Sequence, residues 1–151
     1  NKFKFKNSKD FYMVGGMGHA SSVALGYSLF SKKNTICIDG DGSLLMHLGS
    51  IKTAGTFAKK NFKYVLLNNS SHDSVGGQNT FANNVDFQKL SKSLGFKNFY
   101  LIKSKKDVDK KIKEFLSQTQ LSFLEVKVAN SKVKKLPRPT DLIKIKDEFM
   151  K

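Results

Sequence analysis

The sequence predicts an α/β fold: a three-layer α/β/α domain built on a mainly parallel sheet. Three observations point there. Short apolar runs alternate with amphipathic stretches in the order strand, helix, strand, helix. Turns bearing Gly or Asn follow two of the strand-like runs, at the strand ends where such sheets bind ligands. The 151 residues, 39% of them apolar, suffice for one domain with a real core.

The elements follow in order. Lys2-Phe3-Lys4-Phe5-Lys6 alternates like a strand with one buried face, or like the end of a linker. Tyr12-Met13-Val14 leads into the turn Gly15-Gly16-Met17-Gly18. Residues 20–30 carry Val23, Ala24, Tyr27 and Leu29 at helical spacing, and Ser21 and Ser22 are placed to cap that helix. Residues 35–39 read as a strand. Over 44–60, Leu44, Leu45, Leu48, Ile51, Ala54 and Ala58 recur at three and four, which predicts one amphipathic helix. Residues 64–67 form the next strand. Residues 70–85 lack apolar periodicity and read as a long functional loop. A short helix over 86–94 ends at Gly95, and 99–102 is a strand. Ser104 to Asp107 has the form of a capping box opening helix 105–117, with Val108, Ile112, Phe115 and Leu116 inward. Strand 123–128 follows. Leu136-Pro137-Arg138-Pro139 breaks the chain before a last helix over 141–150.

Composition narrows the function classes. The formal charge is +15, from 27 basic and 12 acidic residues. Arg138 is the only arginine. Base readers lean on the bidentate guanidinium fork, and these lysines are scattered along the chain, so nucleic acid is not the expected partner. The charge instead serves to draw in a small anionic substrate. Cys37, the single cysteine, is expected to be a buried small hydrophobe. No run is long enough to span a bilayer and no signal-peptide pattern opens the chain, so a cytoplasmic setting is expected and a membrane partner is not. The chain does not begin with Met, and we expect it to be part of something longer.

Gly40-Asp41-Gly42-Ser43 carries the most information. It follows a strand, so its backbone N–H groups are free to cradle a diphosphate, and Asp41 supplies a hard oxygen for a divalent cation. Asn68-Asn69 ends the next strand-like run, Tyr64-Val65-Leu66-Leu67, after residues 43–67. Adjacent parallel strands would bring Asp41 and Asn69 to one edge.

This pair of turns resembles the GDG and NN motif of thiamine diphosphate enzymes. The resemblance implies the thiamine diphosphate-binding fold, with thiamine diphosphate and Mg²⁺ as cofactors. Asp41, Asn69 and the backbone of Ser71 would hold the metal; Gly40, Asp41, Gly42 and Ser43 would hold the diphosphate. Gly15-Gly16-Met17-Gly18 resembles a second element of the same family. It implies that the Gly15 carbonyl meets the aminopyrimidine and that Met17 is the wedge that bends the cofactor.

A third stretch, His72-Asp73-Ser74-Val75-Gly76-Gly77-Gln78, together with Gly18-His19-Ala20-Ser21-Ser22 and Arg138-Pro139-Thr140, looks like the phosphonopyruvate decarboxylase branch. Gln78-Asn79-Thr80 departs from the usual Gln-Pro-Thr of that branch. The implied reaction is decarboxylation of 3-phosphonopyruvate to phosphonoacetaldehyde, with the cofactor as electron sink. His19 and His72 are the candidate catalytic residues, and Asp73, Ser74, Gly76, Gly77 and Gln78 form a candidate substrate loop. Asp73 would orient His72 or cap a turn. His47, inside the predicted helix, reads as packing or surface.

One part of the expected machinery is missing. Thiamine enzymes need a Glu at the pyrimidine N1′ as acid and base. Glu114, Glu125 and Glu148 are the three glutamates, and none has a suitable context. The chain therefore reads, over 1–151, as the diphosphate-binding domain alone. A pyrimidine-binding domain or subunit would complete the site in a homo- or hetero-oligomer. Sulfopyruvate decarboxylase, another 2-oxoacid decarboxylase or synthase component, or a cofactor-binding module without catalysis are the alternatives.

Overall fold

The computed structural model describes residues 9–130 and 139–150. The strand-like reading of Lys2–Lys6 and the break at Leu136–Arg138 lie outside these residues.

Four strands, β1 (Thr35–Gly40), β2 (Phe62–Asn68), β3 (Asn98–Ile102) and β4 (Ser122–Lys127), form one sheet in the order β1-β2-β4-β3. Every pairing is parallel. The helices are α1 (Ala20–Phe30), α2 (Asp41–Met46), α3 (Leu48–Phe57), α4 (Phe87–Leu94), α5 (Val108–Ser117) and α6 (Leu142–Phe149). The predicted α/β/α layering is the observed one.

The layers follow from alternation along the strands. On one face Cys37, Phe62, Tyr64, Leu66, Phe99 and Phe123 pack with Ala24 of α1, Ile51 and Ala54 of α3 and Phe87 of α4. On the other, Ile102, Leu124 and Val65 pack under Phe115 and Val108 of α5. That second layer leaves the β1 side bare: Ile36 is 47% and Ile38 60% exposed. Cys37 is buried as expected, and burial pushes its thiol far above the usual range.

The structure corrects three local expectations. The N-cap of α1 is His19, with Ser21 and Ser22 inside the first turn. The capping box at Ser104 does not close: its hydroxyl accepts from Lys106 N–H, residues 105–107 form a 3₁₀ turn and α5 starts at Val108. The single helix expected over 44–60 is two helices, split at His47, whose φ of −133° and ψ of 56° are not helical. Other boundaries agree within a few residues. Asp86 caps α4 through Lys89 N–H and Gly95 ends it at φ 112°.

Candidate active site

Register places the candidate residues. In the β1–β2 pair Gly40 lies opposite Leu67, so the turns that begin at Asp41 and Asn68 leave the sheet side by side at its carboxyl edge. The Gly15–Gly18 turn joins them: Gly18 N–H donates to Ser43 Oγ at 2.7 Å. The two Gly-rich motifs are thus bonded directly. A groove of about 1140 Å³ runs between them, lined by Gly15, Met17, Asp39, Gly40, Ser43 and Ser74 among others. A Cβ at Gly15 or Gly40 would meet nothing within 4 Å, so both present bare backbone to open space.

Gly42 and Gly18 are needed for another reason, close approach. A Cβ at Gly42 would collide with the His72 ring, and one at Gly18 with the His47 ring. His72 therefore lies against the Gly40–Ser43 turn. The His19 and His47 rings meet at a tilt of 44° with centroids 4.3 Å apart. The break between α2 and α3 puts His47 there, and its buried Nδ1 has no hydrogen-bond partner among the described residues. His47 packs, as expected, but against the site.

The loop after β2 is folded back on itself. Ser71 bridges Asn79, His72 N–H donates to Gln78 C=O at 2.8 Å, and Thr80 N–H to Ser70 C=O at 3.1 Å. Gly76 and Gly77, at φ 125° and 79°, make the return. Ser74 reaches the groove. Gln78 folds over Gly76 instead. Asp73 turns its carboxylate to Asn69 Nδ2 (2.9 Å) and Ser71 Oγ (2.8 Å). These bonds close the turn after β2, the second of the two readings of Asp73. Asn69 Oδ1 accepts Ser71 N–H at 3.0 Å, which fixes the direction of that amide.

The residues fit a hard cation. Asp41 is 1% exposed, and among the described residues its carboxylate accepts only from Thr80 Oγ1. A carboxylate offers about four acceptor positions, so most of its capacity is unfilled at a place water barely reaches. Asn69 Oδ1 and the Ser71 carbonyl, the partners the resemblance implies, would add the further oxygens that a hard cation such as Mg²⁺ takes. Among the described residues no three His, Cys, Asp or Glu side chains cluster as a metal site, so any such cation would depend on amide and carbonyl oxygens.

Two functional candidates were not singled out from the sequence. Thr80 is the first. Asp39 is 8% exposed and accepts from Tyr64 Oη (2.9 Å) and Gly40 N–H (3.0 Å). Burial raises its carboxyl pKa, opposed by hydrogen bonds from Ser43, Tyr64 and Gly40. Asn68 donates to Glu125 Oε1 at 2.8 Å, and Lys127 Nζ lies 2.8 Å from the same oxygen. Glu125 is thereby committed inside the sheet. A lone carboxylate within an apolar strand, as in Ile36-Cys37-Ile38-Asp39, was the signal available for Asp39.

The fold and its edge define a parallel α/β domain with two Gly-rich turns joined at the carboxyl edge of its sheet. Residues 2–126 match the family described as thiamine pyrophosphate enzyme, C-terminal TPP binding domain, and the chain belongs to that family. It is 34% identical over 129 residues to phosphonopyruvate decarboxylase of Streptomyces viridochromogenes, covering 85% of this chain and 32% of that protein. It is also 34% identical over 139 residues to sulfopyruvate decarboxylase subunit beta of Methanocaldococcus jannaschii, covering 90% of this chain and 73% of that subunit. The chain thus spans about a third of the first relative and most of the second. Among solved structures, the thiamine diphosphate-dependent 4-hydroxybenzoylformate decarboxylase of Rhodococcus jostii RHA1 shares the fold: TM-score 0.63, 20% identity, 79% of this chain and 24% of that one. No helix among the described residues is long and apolar enough to cross a membrane.

Proposed function

We propose that this chain is the diphosphate-binding half of a thiamine diphosphate- and Mg²⁺-dependent 2-oxoacid decarboxylase that converts 3-phosphonopyruvate to phosphonoacetaldehyde and CO₂. The observation that carries the reading is the Gly18–Ser43 bond, which sets both Gly-rich turns on one groove. At about 1140 Å³ the groove exceeds the roughly 300–1,000 Å³ of ordinary ligand pockets and suits a cofactor with a small substrate.

Bound thiamine diphosphate supplies the nucleophilic carbon and the electron sink for loss of CO₂. The chain's residues supply position and charge. Asp41, Asn69 Oδ1 and the Ser71 carbonyl would hold Mg²⁺ against the diphosphate, and the backbone of Gly40–Ser43 would cradle its oxygens. The Gly15 carbonyl and Met17 would seat and bend the pyrimidine. His72, pressed on Gly42, and His19, at the mouth of α1, would be the catalytic side chains nearest the two Gly-rich turns. The 72–78 loop would meet the substrate's anionic tail, led by Ser74. Glu125 is tied to Asn68 and Lys127, so the acid for the pyrimidine N1′ must come from a partner domain or subunit.

Sulfopyruvate is the second reading of the substrate. It is favoured by equal identity to the sulfopyruvate decarboxylase subunit beta and by the larger share of that subunit covered. The test is CO₂ release by the native assembly recovered through this chain, given thiamine diphosphate, Mg²⁺ and, in turn, phosphonopyruvate, sulfopyruvate and pyruvate. Fastest turnover of phosphonopyruvate is expected. Preference for sulfopyruvate moves the substrate assignment, and no release from any of them sinks the decarboxylase reading.

A further inference from the structure

A buried hydrogen-bond chain runs from β4 to the turn after β2. Asn68, the last residue of β2, is 1% exposed. Its Nδ2 donates to Glu125 Oε1 at 2.8 Å, and Glu125 is itself buried. Asn68 Oδ1 accepts the Ser70 N–H at 3.1 Å and the Ser70 hydroxyl at 3.3 Å. Ser70 stands at φ 57°, in the left-handed region that side chains disfavour. Its neighbours along the chain are Asn69 and Ser71. Its carbonyl accepts Thr80 N–H at 3.1 Å, and the Thr80 hydroxyl donates to Asp41.

The direction of these bonds is set at Glu125. Lys127 Nζ lies 2.8 Å from the same Oε1, so that oxygen faces two donors and serves as an acceptor. A side-chain amide fits either way round, and an acceptor on its β4 side leaves one choice: Nδ2 toward Glu125, Oδ1 toward Ser70. Reversed, Nδ2 would face the Ser70 N–H, donor against donor, and the bond that holds the left-handed turn would be lost. We infer that Glu125 is a positioning residue that, acting through the Asn68 amide, holds Ser70 left-handed and so sets where Asn69 and Ser71 stand at the end of β2. The inference deepens the proposed function and rests on it for the meaning of Asn69 and Ser71 as metal holders. The hold on Ser70 is a property of this chain.

The discriminating variant is Glu125→Met, which keeps the length of the side chain and removes the acceptor. In the full assembly without cofactor, amide exchange at Ser70 is expected to be faster by about tenfold, the scale of one lost hydrogen bond. Glu125→Gln still offers Asn68 an oxygen, so exchange there must stay close to wild type although the ion pair with Lys127 is gone. A role in charge alone predicts equal losses in both variants, and a role in packing alone predicts none in either. With cofactor and Mg²⁺ supplied, the apparent thiamine diphosphate Kd is expected to rise by about tenfold in Glu125→Met, the low end for a residue that supports a ligand from behind. It should stay put in Glu125→Gln. Ser70→Gly reaches the left-handed conformation without strain, so Glu125→Met must cost less affinity in that background. Asn68→Ala must show the same fast exchange, and adding Glu125→Met to it must give no further change, because the two act in series.

Unchanged Ser70 exchange in Glu125→Met, equal losses in the Met and Gln variants, an undiminished cost in the Ser70→Gly background, or losses that add in the Asn68→Ala pair overturn the inference. Fast exchange with an unchanged Kd overturns its last step, from Ser70 to the metal holders. If Glu125→Met fails to fold, Glu125→Asp draws the acceptor back by one methylene and keeps a charge for Lys127. Exchange at Ser70 must then rise, and an unchanged rate overturns the chain of bonds. Exchange is read without cofactor. A protein that releases no CO₂ but shows the expected exchange pattern would end the decarboxylase reading and leave the hold on Ser70 standing.

Discussion

The two ends of the sheet both bury charge, and they treat it differently. At the amino end, Lys63 of β2 is 0% exposed and its ammonium donates to three carbonyls: Gln118 (2.7 Å), Gln120 (2.9 Å) and Lys60 (3.3 Å). An ammonium has three donors, so nothing is left over. Asn61 beside it likewise gives its amide to the carbonyls of Ser28, Ser31 and Lys33. At the carboxyl end, Asp41 is as deeply buried but accepts from one hydroxyl among the described residues. A buried charge saturated by its own chain holds loops together. A buried charge left unsaturated marks where something outside the chain binds.

The largest effect should follow from removing the unsaturated charge. Asp41→Asn is expected to weaken Mg²⁺-dependent thiamine diphosphate binding by more than about a hundredfold, because residues that merely support a ligand already cost 10–100-fold. Its melting temperature should hold or rise, since a buried carboxylate with one donor is costly to the fold. Calorimetric titration with and without Mg²⁺ measures the first and a thermal melt the second. Cofactor affinity that ignores both Mg²⁺ and the substitution would place the metal elsewhere.

Lys63→Met should invert that pattern. Three carbonyls lose their donor, and a loss of about 2–3 kcal/mol in unfolding free energy is expected, the scale of leaving buried polar groups unpaired. Cofactor affinity of the folded fraction should not move. A change in affinity as large as the change in stability would mean that the two ends are coupled through β2.

Gly42→Ala tests the carboxyl end more gently. The added methyl meets the His72 ring and the Thr80 methyl, so the 70–80 loop must shift, at about 1–3 kcal/mol for an overpacked contact. His72→Ala in the same chain makes room, and stability should return toward wild type. If it does not, the backbone of the turn, not the ring, resists the methyl.

The same contrast explains what could be read from the sequence. Strand ends with Gly or Asn are local signals, so Asp41 and Asn69 were legible at once, as was the layering. Contacts set by register were not. Asp39 meets Tyr64 only because Cys37 pairs with Tyr64 across β1 and β2. Lys63 stood inside an apolar run but was one lysine among many. The break at His47 was hidden because the apolar spacing of Leu44, Leu48, Ile51 and Ala54 runs through it unchanged. Only the approach of Gly18 and His19 gives that residue its non-helical backbone a purpose. Asp73 could be read as orienting His72 or as capping a turn, and its carboxylate is found on Asn69 and Ser71 of the turn.

The smallest expected effect is a pH dependence at the saturated end, and its sign separates two accounts of Lys63. Burial lowers the Lys63 pKa from 10.5, even with three carbonyls around the ammonium. The native state then sheds this proton at lower pH than the unfolded chain does. Between the lowered value and 10.5 the unfolded state binds more protons, so Lys63's contribution to stability rises with pH through that window. Below it both states are protonated and the desolvation cost stays in full. Other lysines and tyrosines titrate in the same range, and subtracting the Lys63→Met variant removes them. The stability gap between wild type and variant, measured by urea unfolding, should widen in favour of wild type as pH rises from neutral toward 10.5. A gap that narrows would mean that the three carbonyl bonds outweigh desolvation, and that the amino end is held by the charge itself.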